Sequence, residues 1–273
     1  MPELPEVETV KESLKKIILN KKINSAVILY PNIIDTPTLE EFTNNIKNQT
    51  INDIKRKGKW LIFELDEYYL LSHLRMEGKY IIRNNGEPYE KHEHVVFELS
   101  DNTELRYKDT RKFGRMHLIK KDELETCKAL SNVGLEPFSE KLTNKYLLEK
   151  YKTKKLPIKT VLLDQSIIAG IGNIYADEIL FLSKINPLKQ TNTITEKEVN
   201  EIIKYTKQVL EKAIKSGGTT IRSYESSEGV HGRFQQQLLV HNKEHDGCPS
   251  CNTEIIKITV GGRGTYYCPK CQK

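Results

Sequence analysis

The sequence predicts an α+β protein with more than one domain, in which a β-sandwich that begins with a helix precedes a helical domain and a four-cysteine metal site. Short segments of alternating apolar and polar residues, broken by tight turns, occupy residues 23 to about 120. Beyond residue 140 the apolar residues recur at helical spacing, and two Cys-x-x-Cys pairs lie near the end. With 273 residues, the chain is long enough for two domains with sizeable cores.

The first predicted element is a helix that starts near Pro5. Its apolar residues Val7, Val10, Leu14 and Ile18 recur at the spacing of one helix face. Proline is favoured in the first turn of a helix, and acidic side chains stabilise the same end. We expect this helix to be buried along its apolar face and to hold the residues before it in a fixed position.

Strands follow the helix. The predicted strands span residues 23–30, 60–65, 68–74, 80–83, 95–99, 103–107 and 116–119. Between them, Asn84-Asn85-Gly86 and Ser100-Asp101-Asn102 are typical turn sequences. Several short strands joined by tight turns indicate a β-sandwich.

Helices dominate after residues 133–137, a predicted linker. The predicted helices span residues 141–151, 159–164, 173–183 and 195–215. A polar stretch rich in Gly and Ser follows, long enough to form a functional loop at about 217–237. We therefore divide the chain into a sandwich domain (1–132), a helical domain that includes this loop (133–238) and a metal-binding terminus (239–273).

Four cysteines near the end of the chain predict a zinc site. Cys248 and Cys251 form one pair, Cys268 and Cys271 form the other, and sixteen residues separate the two pairs. This spacing is typical of a four-cysteine zinc finger. Because four thiolates complete a tetrahedral shell, no position stays open for water, and we expect one structural Zn²⁺. In an oxidising compartment, disulfides between these four cysteines would be the alternative. The fifth cysteine, Cys127, lies outside the pattern.

The composition favours a cytoplasmic protein that can bind a polyanion. Neither a signal peptide nor an apolar run of membrane-spanning length is recognisable. Lys and Arg number 43 against 37 for Asp and Glu, which gives a net charge of +6 and permits a nucleic-acid partner. Basic residues alternate with aromatic ones at 106–115 and 150–159, although a solvated charged surface is the commoner explanation of such runs.

The first residues can supply an unusual nucleophile. Met1 is normally removed when the next residue is as small as Pro2, and its removal exposes a secondary amine. An α-amine with a pKa near 8 is neutral about 200-fold more often at pH 7 than a lysine with a pKa of about 10.4. A neutral amine attacks electrophilic carbons such as C1′ of a sugar, and the carboxyl group of Glu3 can act as acid or base. The alternative is an ordinary frayed terminus.

Two glycine-containing segments are suited to a phosphate. Gly170-Ile171-Gly172-Asn173 precedes an apolar helix, whose free N–H groups favour an anion. Gly262-Arg263-Gly264 lies in a predicted turn between the cysteine pairs, and an arginine binds phosphate through two hydrogen bonds. Each signal is weak alone, because every helix needs an entry turn and Asn is a common cap.

Several motifs together resemble the bacterial formamidopyrimidine-DNA glycosylase family along the whole chain. In order, they are Met1-Pro2-Glu3-Leu4-Pro5-Glu6, Arg56-Lys57-Gly58-Lys59-Trp60, His73-Leu74-Arg75-Met76-Glu77-Gly78, Lys91-His92-Glu93-His94, Asp109-Thr110-Arg111-Lys112-Phe113-Gly114, Gly170-Ile171-Gly172-Asn173-Ile174-Tyr175 and Gly262-Arg263-Gly264-Thr265 with Cys268-Pro269. The resemblance implies an N-terminal β-sandwich, a helix–two-turn–helix domain and a zinc finger. It also implies removal of oxidised purines, chiefly 8-oxoguanine and formamidopyrimidines, from duplex DNA, followed by strand cleavage through β,δ-elimination.

The resemblance also assigns roles to individual residues. Pro2 matches the family's Schiff-base nucleophile, and Glu3 matches its acid–base partner. Lys59 matches the lysine that assists base release and β-elimination, and Arg263 the arginine that binds phosphate and is assigned to δ-elimination. The residues that match DNA-contacting or site-steadying positions are Glu6, Met76, His92, Arg111, Phe113, Lys154, Lys159 and Asn173.

Three of these residues, Met76, Arg111 and Phe113, match those that fill the gap left by an extruded nucleotide. The implied partner is damaged double-stranded DNA, without a membrane. We expect a monomer that acts on the bacterial nucleoid.

Two other functions are compatible with parts of the sequence. The endonuclease VIII type has the same fold but prefers oxidised pyrimidines and usually carries Gly at the position of Leu4. A non-catalytic DNA-binding module would leave Pro2, Glu3 and Lys59 without a role.

The chain also departs from the family at Val240-His241-Asn242-Lys243, where Val-Tyr-Gly-Arg is usual, and we expect this change to lie away from the chemistry.

Overall fold

The structure is a computed structural model that describes residues 1–219, 224–225 and 233–273, with residues 224–225 described by their backbone. The chain divides into two compact units, Met1–Ser131 with Gly217–Gly232, and Asn132–Ser216 with Arg233–Lys273. The predicted α+β class is confirmed. The division into three domains stays a prediction.

The first unit contains three helices and two sheets within the described residues. The helices are α1 (Leu4–Ile18), α2 (Leu39–Ile46) and α3 (Lys128–Ser131). The strands are β1 (Ile23–Ile28), β2 (Ile34–Thr36), β3 (Asp53–Lys57), β4 (Trp60–Glu64), β5 (Tyr68–His73), β6 (Lys79–Asn84), β7 (Glu93–Leu99), β8 (Thr103–Lys108), β9 (Arg115–Lys120) and β10 (Tyr224–Glu225).

These strands form two five-stranded sheets, as far as the structure describes the chain. One has the order β1-β7-β8-β6-β10 and the other β2-β9-β5-β4-β3. Residues of both sheets share one buried core, including Phe63 and Leu70 from one sheet and Phe97 from the other. The predicted sandwich and its strands are therefore confirmed, with ends that differ by a few residues.

Helix α1 adds its apolar face to this core, as the spacing predicted. Val7, Val10, Leu14 and Ile18 are each 0–1% exposed. Burying four aliphatic side chains contributes roughly 6–12 kcal/mol to the free energy of unfolding, before entropy is counted. The helix start is thereby fixed against the sandwich.

The expectation of continuous β-structure from 23 to about 120 is wrong over Leu39–Ile46, which forms α2. Thr38 caps this helix, since its Oγ1 accepts a hydrogen bond from the Glu41 N–H at 3.3 Å, and Phe42 and Ile46 are fully buried. The signal was present in the sequence as a Thr-x-x-Glu capping box followed by apolar residues four apart. Local capping prevails here over the β-character of the flanking segments.

The second unit is helical and ends in a hairpin. Its helices are α4 (Asn144–Tyr151), α5 (Ile158–Leu162), α6 (Asn173–Leu182) and α7 (Glu196–Lys215), and its strands are β11 (Ile256–Val260) and β12 (Arg263–Tyr267). The predicted helices are thus confirmed. Among the described residues, no helix is both long and apolar enough to span a bilayer.

Candidate functional site

The predicted nucleophile and acid lie immediately before α1, and Glu3 is the N-cap residue of this helix. Pro2 is buried and Glu3 is 2% exposed, whereas Met1 is 47% exposed. The Glu3 backbone N–H donates to Glu6 Oε2 at 2.9 Å, and this bond fixes the chain at the start of the helix. The N-terminus is therefore ordered by the helix, and the frayed-terminus alternative does not apply.

Glu6 also ties this turn to the start of the predicted loop. Its Oε1 accepts hydrogen bonds from the Thr219 N–H at 2.9 Å and from Thr219 Oγ1 at 3.1 Å. Gly218 has φ +77°, and a Cβ there would lie 2.7 Å from Glu6 Oε1, so only glycine fits at this approach. Residues 220–223 and 226–232 of the predicted loop lie outside the described residues.

Lys59 lies in the turn between β3 and β4 and is 6% exposed. The preceding Gly58 takes φ +57°, which lets the two strands reverse direction. Arg56 holds this turn, because its Nη1 donates to the Gly58 carbonyl at 2.9 Å. Arg56 Nε also donates to Glu8 Oε2 of α1 at 2.7 Å. The Glu8–Arg56 pair therefore fixes the Lys59 turn against the helix that directly follows Pro2 and Glu3.

A neutral histidine lies near Lys59. Burial, together with the positive charges of Arg75 and Lys59, lowers the pKa of His73 to about 3. Its Nδ1 accepts the Arg75 backbone N–H at 3.0 Å, and its ring makes an edge contact with Trp60. The imidazole is thus uncharged at neutral pH and adds no repulsion to the lysine ammonium.

We expect Glu8→Gln to lower the free energy of unfolding by about 1 kcal/mol at neutral pH, after allowance for partial exposure. Burial opposes ionisation of Glu8, but hydrogen bonds from Lys11 and Arg56 outweigh it and hold its pKa below the usual 4.5. A lowered carboxyl pKa stabilises the fold above pH 4.5, and this contribution disappears as the pH falls through the lowered pKa. Thermal unfolding of both proteins at a series of pH values measures the difference.

The control is Glu12→Gln, which removes the same charge from the same helix. The Glu12 side chain is 56% exposed and pairs only with Lys11 at 2.9 Å among the ion pairs described. This variant should unfold like the wild type. An equal loss of stability in the Glu8 and Glu12 variants would contradict the special role of the Glu8–Arg56 pair.

The residues predicted to enter the DNA lie in two turns of the first unit. Met76 lies between β5 and β6, and Arg111 and Phe113 lie between β8 and β9. Phe113 is 47% exposed, and the Arg111 guanidinium lies over its ring at 4.8 Å from the centroid. An exposed aromatic ring covered by a cation contributes little to the core. The structure thus leaves both side chains available to a ligand.

His92 lies just before β7 and is partly exposed, with φ +73°. Desolvation and neighbouring cations lower its pKa below 6.5, so the imidazole is neutral at pH 7. The loop before His92 is held by the fully buried Arg106. The Arg106 guanidinium donates to the Glu87 and Pro88 carbonyls at 2.6 and 3.1 Å, and to Glu93 Oε2 at 2.9 Å. His92 is therefore presented from a fixed loop.

The four predicted zinc ligands converge in the second unit. Their Sγ atoms all lie within 4.8 Å of one another. Cys248 and Cys271 are 3.9 Å apart, and Cys251 and Cys268 are 3.6 Å apart. A tetrahedron with Zn–S bonds of about 2.3 Å requires S–S distances of about 3.8 Å. The cluster therefore fits one Zn²⁺ with no open position, which is a structural site.

Arg263 projects from the turn of the β11–β12 hairpin and is exposed. Gly261 and Gly262 take φ +55° and +73° in this turn, which allows the tight reversal. The carbonyl of the next residue, Gly264, accepts hydrogen bonds at 3.0 Å from Lys159 Nζ and from Asn173 Nδ2 at the start of α6. Helices α5 and α6 thus fix the hairpin that carries the arginine.

One predicted DNA contact requires correction. Lys159 is fully buried, and its ammonium lies 2.7 Å from Asp177 Oδ1 and donates to Thr265 Oγ1 at 2.7 Å. The ammonium is therefore unavailable to a phosphate in this structure, and it orders the hairpin instead. Lys154 keeps a partly exposed ammonium 3.6 Å from Asp164 Oδ2 and remains suited to a phosphate.

The departure at residues 240–243 lies closer to this network than the sequence suggested. His241 Nδ1 lies 2.7 Å from Asp177 Oδ2, so His241 shares the carboxylate that holds Lys159. Asn242 takes φ +60°, a conformation that Asn tolerates better than most residues, which explains how it replaces a glycine. Sequence reasoning missed the roles of Asp177 and His241, because their partners are distant in sequence.

The comparisons with known proteins agree along the whole chain. Three family models match: the formamidopyrimidine-DNA glycosylase N-terminal domain over residues 1–116, its H2TH domain over 133–225, and a zinc finger found in FPG and IleRS over 248–273. The formamidopyrimidine-DNA glycosylase of Oceanobacillus iheyensis is 50% identical over 273 residues, which are 100% of this chain and 98% of that protein.

Two solved structures from Lactococcus lactis are also similar. An FPG mutant in complex with a Fapy-dG containing DNA is 42% identical, with a TM-score of 0.93 and coverage of 100% of both chains. The wild-type protein in complex with an oxidized pyrimidine containing DNA is 41% identical, with a TM-score of 0.92 and the same coverage. Both relatives were crystallised with damaged DNA.

Proposed function

Because the chain belongs to the formamidopyrimidine-DNA glycosylase family, we propose that it is a bifunctional enzyme that excises oxidised purines from duplex DNA and then cleaves the strand by β,δ-elimination. Its place among the DNA glycosylases of base-excision repair follows from the family. The observation that carries the finer proposal is the burial of Pro2 and Glu3, adjacent residues that lie immediately before α1. We further propose that it acts in the cytoplasm, as a monomer, on nucleoid DNA.

In the proposed reaction, removal of Met1 leaves Pro2 with a free secondary amine. This nitrogen bonds to C1′ as the bond from C1′ to the damaged base breaks, and the base leaves with a proton. Glu3 exchanges protons with the sugar as its ring opens to the iminium, and Lys59 assists the departure of the base. Loss of a C2′ proton then expels the 3′ phosphate, and loss of a C4′ proton expels the 5′ phosphate with the assistance of Arg263. Water then hydrolyses the iminium and frees the Pro2 amine.

The same proposal explains the exposed side chains of the two units. A base within a duplex is inaccessible, so the nucleotide must be everted at a cost of a few kcal/mol. Met76, Arg111 and Phe113 offset this cost by filling the gap. Phosphate contacts from His92, Lys154 and the Asn173 helix start, together with Arg263, hold the backbone. Zinc supplies no chemistry and orders the hairpin that bears Arg263.

We expect 8-oxoguanine to be excised faster opposite cytosine than opposite adenine, and Arg111→Ala to remove most of this preference. The Arg111 guanidinium can donate to the cytosine left without a partner, and one good base-edge contact contributes about 1–3 kcal/mol to discrimination. Single-turnover rates on duplexes that differ only in the opposite base measure it. The control is Lys112→Ala, which removes the neighbouring positive charge and should keep the preference.

A thymine-glycol duplex tests the lesion class in the same assay. Since a relative was crystallised with an oxidised pyrimidine, binding alone cannot separate the classes, and rates must be compared. Faster removal of thymine glycol than of 8-oxoguanine would favour the endonuclease VIII type. Binding without cleavage of any lesion would favour the non-catalytic module.

A further inference from the structure

A single buried aspartate lies behind the exposed side chains of the first unit. Asp109, 1% exposed, follows β8 and begins the turn that carries Arg111 and Phe113. Its Oδ1 accepts the Arg111 N–H at 3.0 Å, and its Oδ2 accepts the N–H groups of Phe113 at 2.9 Å and Gly114 at 2.8 Å. One carboxylate thus fixes three backbone positions of a six-residue turn, 109–114.

The backbone of Asp109 reaches a second DNA-facing segment. Its N–H donates to the His92 carbonyl at 3.0 Å, and its carbonyl accepts a hydrogen bond from His94 Nε2 at 2.8 Å. Both partners belong to the segment at the start of β7. The position of His92 is therefore tied to the turn at 109–114 through one residue.

Tyr107 extends the connection to the Met76 turn. Its hydroxyl lies 3.4 Å from Asp109 Oδ2 and stays protonated, because burial and the charge of Asp109 raise its pKa. A Cβ on Gly78, at the end of the Met76 turn, would lie 2.2 Å from this hydroxyl, and a Cβ on Gly114 would lie 1.8 Å from it. Both turns therefore close directly onto the tyrosine, where only glycine fits.

All three DNA-facing segments also hold a non-glycine residue in the left-handed region. These are Arg75 with φ +54°, His92 with φ +73° and Lys112 with φ +58°. Such conformations are costly, and they persist only where surrounding contacts determine them. The contacts of Asp109 and Tyr107 are of this kind.

We propose that Asp109 and Tyr107 are positioning residues that hold Met76, Arg111 and Phe113 at the spacing needed to fill the gap in the duplex. This inference rests on the proposed function, in which these three side chains enter the DNA. Asp109 touches none of the reacting atoms. Its loss should therefore impair eversion of an intact nucleotide while leaving the chemistry at an open abasic site in place.

The test is Asp109→Asn. Asparagine keeps the shape of the side chain, but its amide N–H can face the backbone N–H groups of the turn, and two donors form no hydrogen bond. We expect excision of 8-oxoguanine opposite cytosine to fall at least about tenfold, as the loss of one hydrogen bond to a charged group implies. The preference for cytosine should fall with it. Borohydride trapping on a preformed abasic site should stay within about twofold of the wild type.

Binding to a tetrahydrofuran site provides a readout that needs no catalysis. With 2-aminopurine beside that site, the wild type should change the fluorescence as its side chains enter the stack, and Asp109→Asn should reduce this change. The control is Tyr80→Phe, which loses an equally buried hydroxyl that donates to Ser72 Oγ at 2.7 Å. It should behave like the wild type in every assay.

Four outcomes separate the explanations. Unchanged excision and fluorescence in Asp109→Asn would overturn the inference, and so would a parallel loss of abasic-site trapping, which indicates a general structural defect. If Asp109→Asn does not fold, Tyr107→Phe decides by the same assays, since it removes only one hydroxyl. Absence of trapping in the wild type would overturn the proposed function instead, while the fluorescence assay would still decide the positioning role.

Discussion

Borohydride is expected to couple the protein covalently to lesion-bearing duplex DNA, with the adduct on the N-terminal peptide, and Pro2→Gly to weaken coupling at least about 100-fold. The buried proline holds its nitrogen in one place at the start of α1, and a misplacement of about 1 Å costs an attacking group roughly this factor. Glycine keeps an amine but loses the ring that packs there. Gel analysis of the trapped complex, followed by peptide mapping, measures both the yield and the site.

An uncleaved N-terminal tag provides the matched control for the nucleophile. The tag converts the Pro2 amine into an amide, so lyase activity and trapping should disappear, whereas DNA binding should remain. The zinc finger and the helical unit do not depend on that amine. An adduct on Lys59, or strand cleavage without any adduct, would contradict the role of Pro2.

Removal of zinc is expected to lower DNA affinity by the largest factor among changes outside the first unit. Cys268→Ser should lose the metal and affinity together, because Cys268 is fully buried in a small cluster with Val240 and Ile255. Without the metal, about 25 residues have too small a core to stay folded, and the Arg263 turn loses its support. Metal content by atomic absorption and binding by fluorescence anisotropy measure the two losses.

The salt dependence of binding isolates the contribution of Arg263. If about six phosphates are contacted, the logarithm of affinity should fall with the logarithm of salt concentration at a slope near −5. Arg263→Ala should reduce this slope by about one and keep the metal. The control is Lys257→Ala on the same hairpin, where the ammonium lies 3.7 Å from Glu244 Oε2. Affinity that persists after metal loss, or that is independent of salt, would contradict the model.

The periodic elements could be predicted from the sequence because their signals are local. The spacing of Val7, Val10, Leu14 and Ile18 specified α1, and the cysteine spacing specified the zinc cluster that the structure confirms. Helix α2 was missed although its capping box was visible, since it lies within residues 23 to about 120, which were all interpreted as β-structure. This error arose because two local signals, a helix cap and a surrounding β-pattern, competed for the same segment.

The chemistry proposed for the N-terminus likewise rests on the sequence alone. Pro2 and Glu3 are covalent neighbours, so no fold is needed to bring an amine and a carboxyl group together. The structure adds that Glu6 and the Glu8–Arg56 pair hold this end of the helix and the Lys59 turn. Arg56 lies 48 residues from Glu8, and no spacing rule reveals such a partner.

Only the tertiary structure separated Lys154 from Lys159. Both belong to the same basic segment, yet one ammonium is partly exposed and the other is buried against Asp177 and Thr265. Burial depends on what packs over a residue, and Thr265 is 106 positions away in the chain. The positioning role proposed for Asp109 also depends on packing, since it arises from the backbone N–H groups that the folded turn places around its carboxylate. The sequence determines which groups are present, whereas packing across the chain decides which of them stay exposed to a ligand and which are buried and hold the exposed ones in place.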